Sequence, residues 1–269
     1  MPFGGYVRAA EWDGGNWVRL GGAVGGPAGV GFGRAIDLSD DGGTLAVGAP
    51  CHDAGGGSGA GRVEVYDLID GSWALRGGRT ILGDRPSSAV FGASVSLSGD
   101  GNTVAVGAVW SDSNGEASGG VRVLRWDVDM SGWAARGSDI EGGAAFDGLV
   151  VSVALSSDGN IVAAGNYFNG AKSHVRVYEF NEASATPDWV PRDSIVYAAG
   201  AAEYDTAVDL SADGSVMAVA GYNEGCEVGA CNFVRVYAWN GTNYENIANV
   251  NGTYHGGLVA SSIYLVQRE

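Results

Sequence analysis

The chain has 269 residues, 47 of them glycine and 6 proline, and its 31 acidic against 15 basic residues give a formal charge of −16. Such a field opposes phosphate backbones and anionic membranes, so nucleic acid is not the partner that charge favours. No stretch approaches the ~18 apolar residues of a membrane-spanning helix, whereas a hydrophobic content of 45% can fill a sizeable core.

The start, MPFGGYVRAAEW, has neither a basic nor an apolar leader region, so no signal peptide is visible. Tyr6 to Trp12 and Trp17 to Gly21 then read as two strands. In the next unit, Phe32 to Ser39 alternates apolar and polar residues, Asp41-Gly42-Gly43 supplies a tight hairpin, and Thr44 to Gly48 returns. A Gly-rich loop covers 50 to 60. Arg62 to Leu68 forms a third strand, Asp70-Gly71 a second hairpin, and Ser72 to Arg76 a fourth strand.

This unit recurs. Trp17, Trp73, Trp133, Trp189 and Tyr244 lie 55 to 60 residues apart. Asp-Gly pairs at Asp41, Asp100, Asp158 and Asp213 keep the same phase, each three residues after a leucine (Leu38, Leu97, Leu155, Leu210). Runs beginning at Val121, Val175 and Val234 are written VRVL or VRVY, with echoes at Val63 and Val7. Three markers in register signal a repeat architecture. Strand 2 of each unit (LAVG, VAVG, VAAG, MAVA) is nearly continuous in apolar residues, as expected of a strand buried on both faces.

The fold expected is all-β, a β-propeller of four-stranded antiparallel blades. Its units are 6–26 plus 257–269, 32–82, 91–140, 146–197 and 204–250, making five blades in one domain. The first blade would be closed by N- and C-terminal strands together. The alternative is a piece whose open blade edges pair with another chain.

The sequence FGRAIDLSDDGGTLAVGAP, with Phe32-Gly33 and Gly48-Ala49-Pro50, resembles the FG-GAP repeat of integrin α-subunit propellers. FGASVSLSGDGNTVAVGAV keeps Phe91-Gly92 and Gly107-Ala108, and the match thins through Phe146-Asp147-Gly148 to Tyr204-Asp205. WD-repeat propellers are the nearest competitor, but their period is ~40 to 45 residues with a Gly-His mark. Calcium-binding members of the resembled family carry a DxDxDG loop. The hairpins here (SDDGG, SGDGN, SSDGN, SADGS) keep the turn without the alternating aspartates, so the resemblance implies no calcium site there.

Candidate site residues lie in loops. Asp112, Asn114 and Glu116 alternate in the loop after Ser111 and are the weak candidate for calcium, which needs six to eight oxygens; otherwise no cofactor is expected. Asp53, Glu116 and Glu224 occupy equivalent loops between strands 2 and 3. With Asp112 and Asn114 they are the candidate binding loops, or, in a carbohydrate-active enzyme, carboxylates at the channel mouth. Cys226 and Cys231 bracket four residues and form a disulfide in an oxidising compartment or remain two thiols in a reducing one. Asn240 and Asn251 head glycosylation sequons. With the family resemblance they point to an extracellular or lumenal location.

Arg8, Arg122, Arg176 and Arg235 share one position of strand 3, where each is expected over a neighbouring Trp or Tyr and paired with an acid of the adjacent blade, the alternative being a ring of guanidinium groups that binds an anion. No Ser/His/Asp grouping and no phosphate-cradling loop is evident. The function expected is therefore non-catalytic: a binding or scaffold module presenting loops 50–60, 110–119, 167–173 and 223–232 to a protein or glycan. The alternatives are the carbohydrate-active enzyme and a structural subunit of a larger assembly.

Overall fold

Alternating apolar residues between Asp-Gly and Asn-Gly turns leave the chain little choice but short antiparallel strands, and twenty form among the described residues. The computed structural model describes residues 4–53, 59–83, 90–109, 111–112, 114–143, 149–166, 174–196, 203–223 and 232–252. The first blade consists of β1 (Gly4–Trp12) and β2 (Trp17–Ala28), paired as a hairpin. The second holds β3 (Ile36–Leu38), β4 (Thr44–Ala49), β5 (Arg62–Ile69), β6 (Ser72–Leu75) and β7 (Ile81–Leu82). The third holds β8 (Phe91–Leu97), β9 (Thr103–Ala108), β10 (Gly120–Asp127), β11 (Gly132–Ala135) and β12 (Ile140–Glu141). The fourth runs β13 (Leu149–Leu155), β14 (Ile161–Asn166), β15 (His174–Asn181) and β16 (Asp188–Val196). The fifth runs β17 (Glu203–Leu210), β18 (Val216–Asn223), β19 (Asn232–Trp239) and β20 (Tyr244–Gly252).

The all-β propeller architecture expected from the repeats is present, with one refinement. Two blades carry a fifth short strand, because their outermost strand is interrupted: β6 and β7 both pair with β5, and β11 and β12 both pair with β10. The breaks fall at Arg76-Gly77 and Arg136-Gly137, where both glycines have positive φ. In β16 the corresponding Arg192-Asp193 is absorbed as a bulge, so the strand runs through. The expected closure of the first blade by residues 257–269 lies outside the described residues.

The core is not central but sits between blades. Val7 and Val24 of the first blade pack with Phe32, Leu45 and Val47 of the second. Val63 and Val65 pack with Val95, Leu97 and Val104 of the third, and Val121 and Val123 with Val153 and Val162 of the fourth. Val175 and Val177 pack with Val208 and Met217 of the fifth. The middle strands β4, β9 and β14 are buried along almost their whole length, which is why their sequences lack polar alternation. The periodic aromatics face backward: Trp73, Trp133, Trp189 and Tyr244 each join the core shared with the preceding blade. Trp17, in the first blade, is 72% exposed.

Candidate functional site

The hairpin between the first two strands is built identically in the four larger blades. Ser39, Ser98, Ser156 and Ser211 each donate to the aspartate two residues on, Asp41, Asp100, Asp158 or Asp213, at 2.6 to 2.7 Å. The same serine oxygens accept the N–H of Thr44, Thr103, Ile161 and Val216. The aspartates also accept a backbone N–H two residues further on. All four carboxyls are held below their ordinary range. For Asp41 and Asp213 the serine hydroxyl is the largest cause; for Asp100 and Asp158 burial raises the value, and the hydroxyl and amide donors outweigh it. This repeated Ser-Asp pair is fully used by its own turn.

The residue between that serine and aspartate varies, and it meets its counterparts from the neighbouring blades. Asp40 N–H donates to Gly99 O at 3.0 Å, Gly99 N–H to Ser157 O at 2.8 Å, and Ser157 N–H to Ala212 O at 2.7 Å. Ser157 Oγ also donates to Asp40 Oδ2 at 2.5 Å, spanning the third blade. A Cβ on Gly99 would fall 2.0 Å from Ser157 Oγ and 2.1 Å from Asp40 Oδ2, so this contact passes directly over a residue that must lack one. The hairpin end of the blades is thereby laced together.

The innermost strand of a blade has a free N–H edge, and the preceding blade caps it. Asp37 Oδ2 accepts Leu97 N–H at 2.6 Å, Ser96 Oγ accepts Leu155 N–H at 3.1 Å, and Ser152 Oγ accepts Val208 N–H at 3.1 Å. Burial pushes the Asp37 carboxyl up to about 6; the donors from Leu97, Leu38 and Ser96 pull it down, and the charge of Asp209 adds to the rise. Asp37 and Asp209 hold the same register position in β3 and β17, next to the leucine that precedes the hairpin. Their signal in the sequence was the middle residue of IDL, VSL, VAL and VDL, a position that passed unnoticed beside the apolar pattern.

The predicted loop residues serve their loops. Asp53 Oδ1 accepts Gly59 N–H at 3.0 Å. Asp112 Oδ1 accepts Ala117 N–H at 2.7 Å, and Asn114 Nδ2 donates to Gly142 O at 2.8 Å. Glu116 is exposed. Among the described residues no three His, Cys, Asp or Glu side chains gather as metal ligands. Asn240 sits in an exposed turn, where its Oδ1 accepts the N–H groups of Thr242 and Asn243. Asn251 lies in β20 opposite Phe233. Cys51 is an exposed free thiol. Glu224, Cys226 and Cys231 lie outside the described residues.

Strand 3 arginines meet the expectation in part: Arg8, Arg122 and Arg235 each lie over an aromatic ring, while the described ion pair of Arg122 falls within its own blade. Arg122 pairs with Asp139 at 2.7 Å and stacks on Phe91, both in its own blade. Arg8 lies over Tyr6 and Arg235 over Phe233, each two residues away on the same strand. The bridging cations are instead those three residues after the periodic tryptophans. Arg76 lies over Trp126 and Trp133, Arg136 over Phe180 and Trp189, and Arg192 over Trp239 and Tyr244, always in the following blade. The recurrent W-x-x-R at Trp73, Trp133 and Trp189 was the missed signal.

Residues 81–124, covering β7 to most of β10, match the family described as FG-GAP repeat. The chain carries an FG-GAP repeat. No curated protein matches the chain. Its likeness to solved structures extends over nearly all of it at low identity. A protein of unknown function from Desulfotomaculum acetoxidans superposes with a TM-score of 0.59 at 13% identity, over 92% of this chain and 64% of that one. A periplasmic gluconolactonase of Pseudomonas aeruginosa gives 0.57 at 18% identity, over 92% and 64%. A candidate 6-phosphogluconolactonase of Bacteroides uniformis gives 0.54 at 12% identity, over 93% and 68%. This chain thus spans about two thirds of the length of these structures, and at such identities the likeness is one of fold.

Proposed function

We propose that this FG-GAP propeller is a non-catalytic binding or scaffold module that presents its strand 2 to 3 loops to a protein or glycan partner. The observation that carries the reading is a division of roles within the repeat. Polar residues that recur in the larger blades, from Ser39 and Asp41 to Ser211 and Asp213, are used by their own hairpins. The loops at the opposite strand ends differ from blade to blade and hold exposed groups such as Glu116. Rigid strands carrying variable loops are the usual arrangement for recognition. The module needs no cofactor and works in an extracellular or lumenal setting, where Asn240 and Asn251 would be modified. A glycan array and an immobilised-protein panel probed with the purified chain test this. Capture that is lost when Asp53 and Glu116 are both replaced by alanine, with the circular dichroism unchanged, supports it; capture indifferent to these loops sinks it.

A second reading has a specific observation in its favour. Asp37, raised to about 6 and influenced by the charge of Asp209, is the kind of carboxyl that serves as an acid or base near neutral pH. The likeness of the whole chain to a gluconolactonase makes sugar lactones the first substrates to try. Lactone hydrolysis that disappears in Asp37→Asn would favour an enzyme.

A further inference from the structure

The strand 3 to 4 hairpins carry paired rings. Trp126 faces Trp133, Phe180 faces Trp189 and Trp239 faces Tyr244 across the ladder, with ring centroids 5.1 to 5.5 Å apart. Arg76, Arg136 and Arg192 of the preceding blades lie over these three pairs, their guanidinium carbons 4.1 to 5.9 Å from the centroids. The second blade differs at both ends of this contact. Its ladder pair is Leu68 and Trp73, and the residue three after Trp17 in the preceding blade is Leu20, whose carbonyl accepts the Trp73 indole N–H at 3.0 Å. Arginine thus stands against two rings, and leucine where an aliphatic side chain replaces one of them.

The first blade has the two rings without the cation. Trp12 faces Trp17 with centroids 5.7 Å apart and planes at 61°, within the 56° to 69° of the other three pairs. Trp189 and Tyr244 are 8% and 5% exposed, whereas Trp12 and Trp17 are 55% and 72% exposed. Among the described residues no guanidinium lies over either ring, and the fifth blade has Ile247 three residues after Tyr244. Arg8 is held over Tyr6, as its counterpart Arg122 is held over Phe91 beside a ring pair that Arg76 occupies. Asp13 follows Trp12 in the turn, where the N–H groups of Asn16 and Gly15 donate to its Oδ1 and keep the carboxyl charged to below its ordinary range. Arg19, paired with Ala10 in the ladder, is exposed on the same face as Trp17.

We infer that the paired rings of Trp12 and Trp17 are a receptor for the guanidinium group of an arginine presented by a partner protein. The guest takes the place over these rings that Arg76 takes over Trp126 and Trp133. A planar, weakly hydrated guanidinium stacks where the compact, strongly hydrated ammonium of lysine does not. The formal charge of −16 draws a basic segment toward the chain, and Asp13 adds an opposite charge at the turn. Arg19 is the one like charge that works against the guest. The site lies at the opposite end of strand 3 from the loops proposed above for recognition, so its failure leaves that reading standing.

The experiment is a titration of a capped tetra-arginine peptide against the folded chain at physiological salt, followed by tryptophan fluorescence and calorimetry. Tetralysine, of equal charge, and tetracitrulline, planar but neutral, serve as comparisons. Tetra-arginine should saturate and bind about fivefold more tightly than tetralysine, the scale of one exposed cation–π contact. Trp17→Ala, at a position exposed enough to leave the fold intact, should bring tetra-arginine down to the level of tetralysine. Trp17→Phe keeps a ring and should retain most of the difference. Arg19→Gln removes the competing charge and should tighten arginine binding. Equal binding of tetralysine reduces the effect to the general field and overturns the receptor, as does a preference for arginine that survives in Trp17→Ala. Equal binding of tetracitrulline, or weaker arginine binding in Arg19→Gln, overturns the assignment to a cation.

Discussion

Gly48 in β4 lies flat against the carbonyl oxygen of Gly92 in β8, so close that a Cβ on Gly48 would stand 2.1 Å from it. These are the glycines of the GAP segment in one unit and the FG segment in the next. The motif therefore marks the place where two blades touch through their backbones. Gly92 has φ +87°, at a register shift in the β8 pairing, and a Cβ there would meet Arg62 O at 2.6 Å. Gly48→Ala should destabilise the fold by ~2–3 kcal/mol, the cost of overpacking against backbone that has nowhere to move. Urea denaturation measures this, and Gly22→Ala supplies the contrast, because Gly22 is exposed in β2, has no positive φ, and a Cβ there meets nothing within 4 Å.

The Ser-Asp hairpins predict a second effect. Removing the hydroxyl in Ser98→Ala leaves Thr103 N–H and Asp100 each short of a partner, for a loss of ~1–2 kcal/mol in chemical denaturation. Asp100, like its three equivalents, has a folded value below the ordinary 3.8. Its contribution is present above 3.8 and fades as pH falls through the folded value. Ser98→Ala should therefore lose less stability than the native chain on acidification below about pH 4.

Asp37 acts in the opposite sense. Its folded value of about 6 exceeds the 3.8 of the unfolded chain, so the folded state holds the proton more tightly between them. Stability should decline as pH rises from about 4 to 6, by an upper bound of ~3 kcal/mol. Asp37→Asn should flatten that descent, as read from denaturation midpoints across the window.

The arginine ladder predicts that chemistry matters beyond charge. Arg136 stacks 4.4 Å above Phe180 while its other face of donors reaches Gly159 O and Asn160 Oδ1. A lysine keeps the charge but loses the planar fork, so Arg136→Lys should cost ~1–3 kcal/mol. Arg19→Lys, at an exposed position, should be silent in the same melts.

Much of this architecture was legible because repetition multiplies weak signals. One Trp73 or one Asp41-Gly42 says little, but recurrence at a fixed interval locates strands, hairpins and blade boundaries together. Some strand ends were legible closely, β5 ending at Ile69 where the pattern suggested Leu68, but β2 runs on to Ala28 where it suggested Gly21, and β3 is confined to Ile36–Leu38 where it suggested Phe32 to Ser39. What was not legible depended on which blade a side chain faces. Arg122 and Arg136 look alike in sequence, yet Arg122 pairs with Asp139 of its own blade while Arg136 stacks on Phe180 of the next. Asp37 was hidden for a similar reason: its partner, Leu97 N–H, lies 60 residues away on another strand 1.

The most direct test of the binding-module account sets recognition against turnover in the same preparation. The chain is assayed for capture on a glycan and protein panel and for hydrolysis of sugar lactones, alongside the Asp53→Ala/Glu116→Ala double variant and Asp37→Asn. The account predicts capture that only the loop variant loses, with no turnover above background in any of them. Steady lactone hydrolysis that vanishes in Asp37→Asn and survives in the loop variant would contradict it.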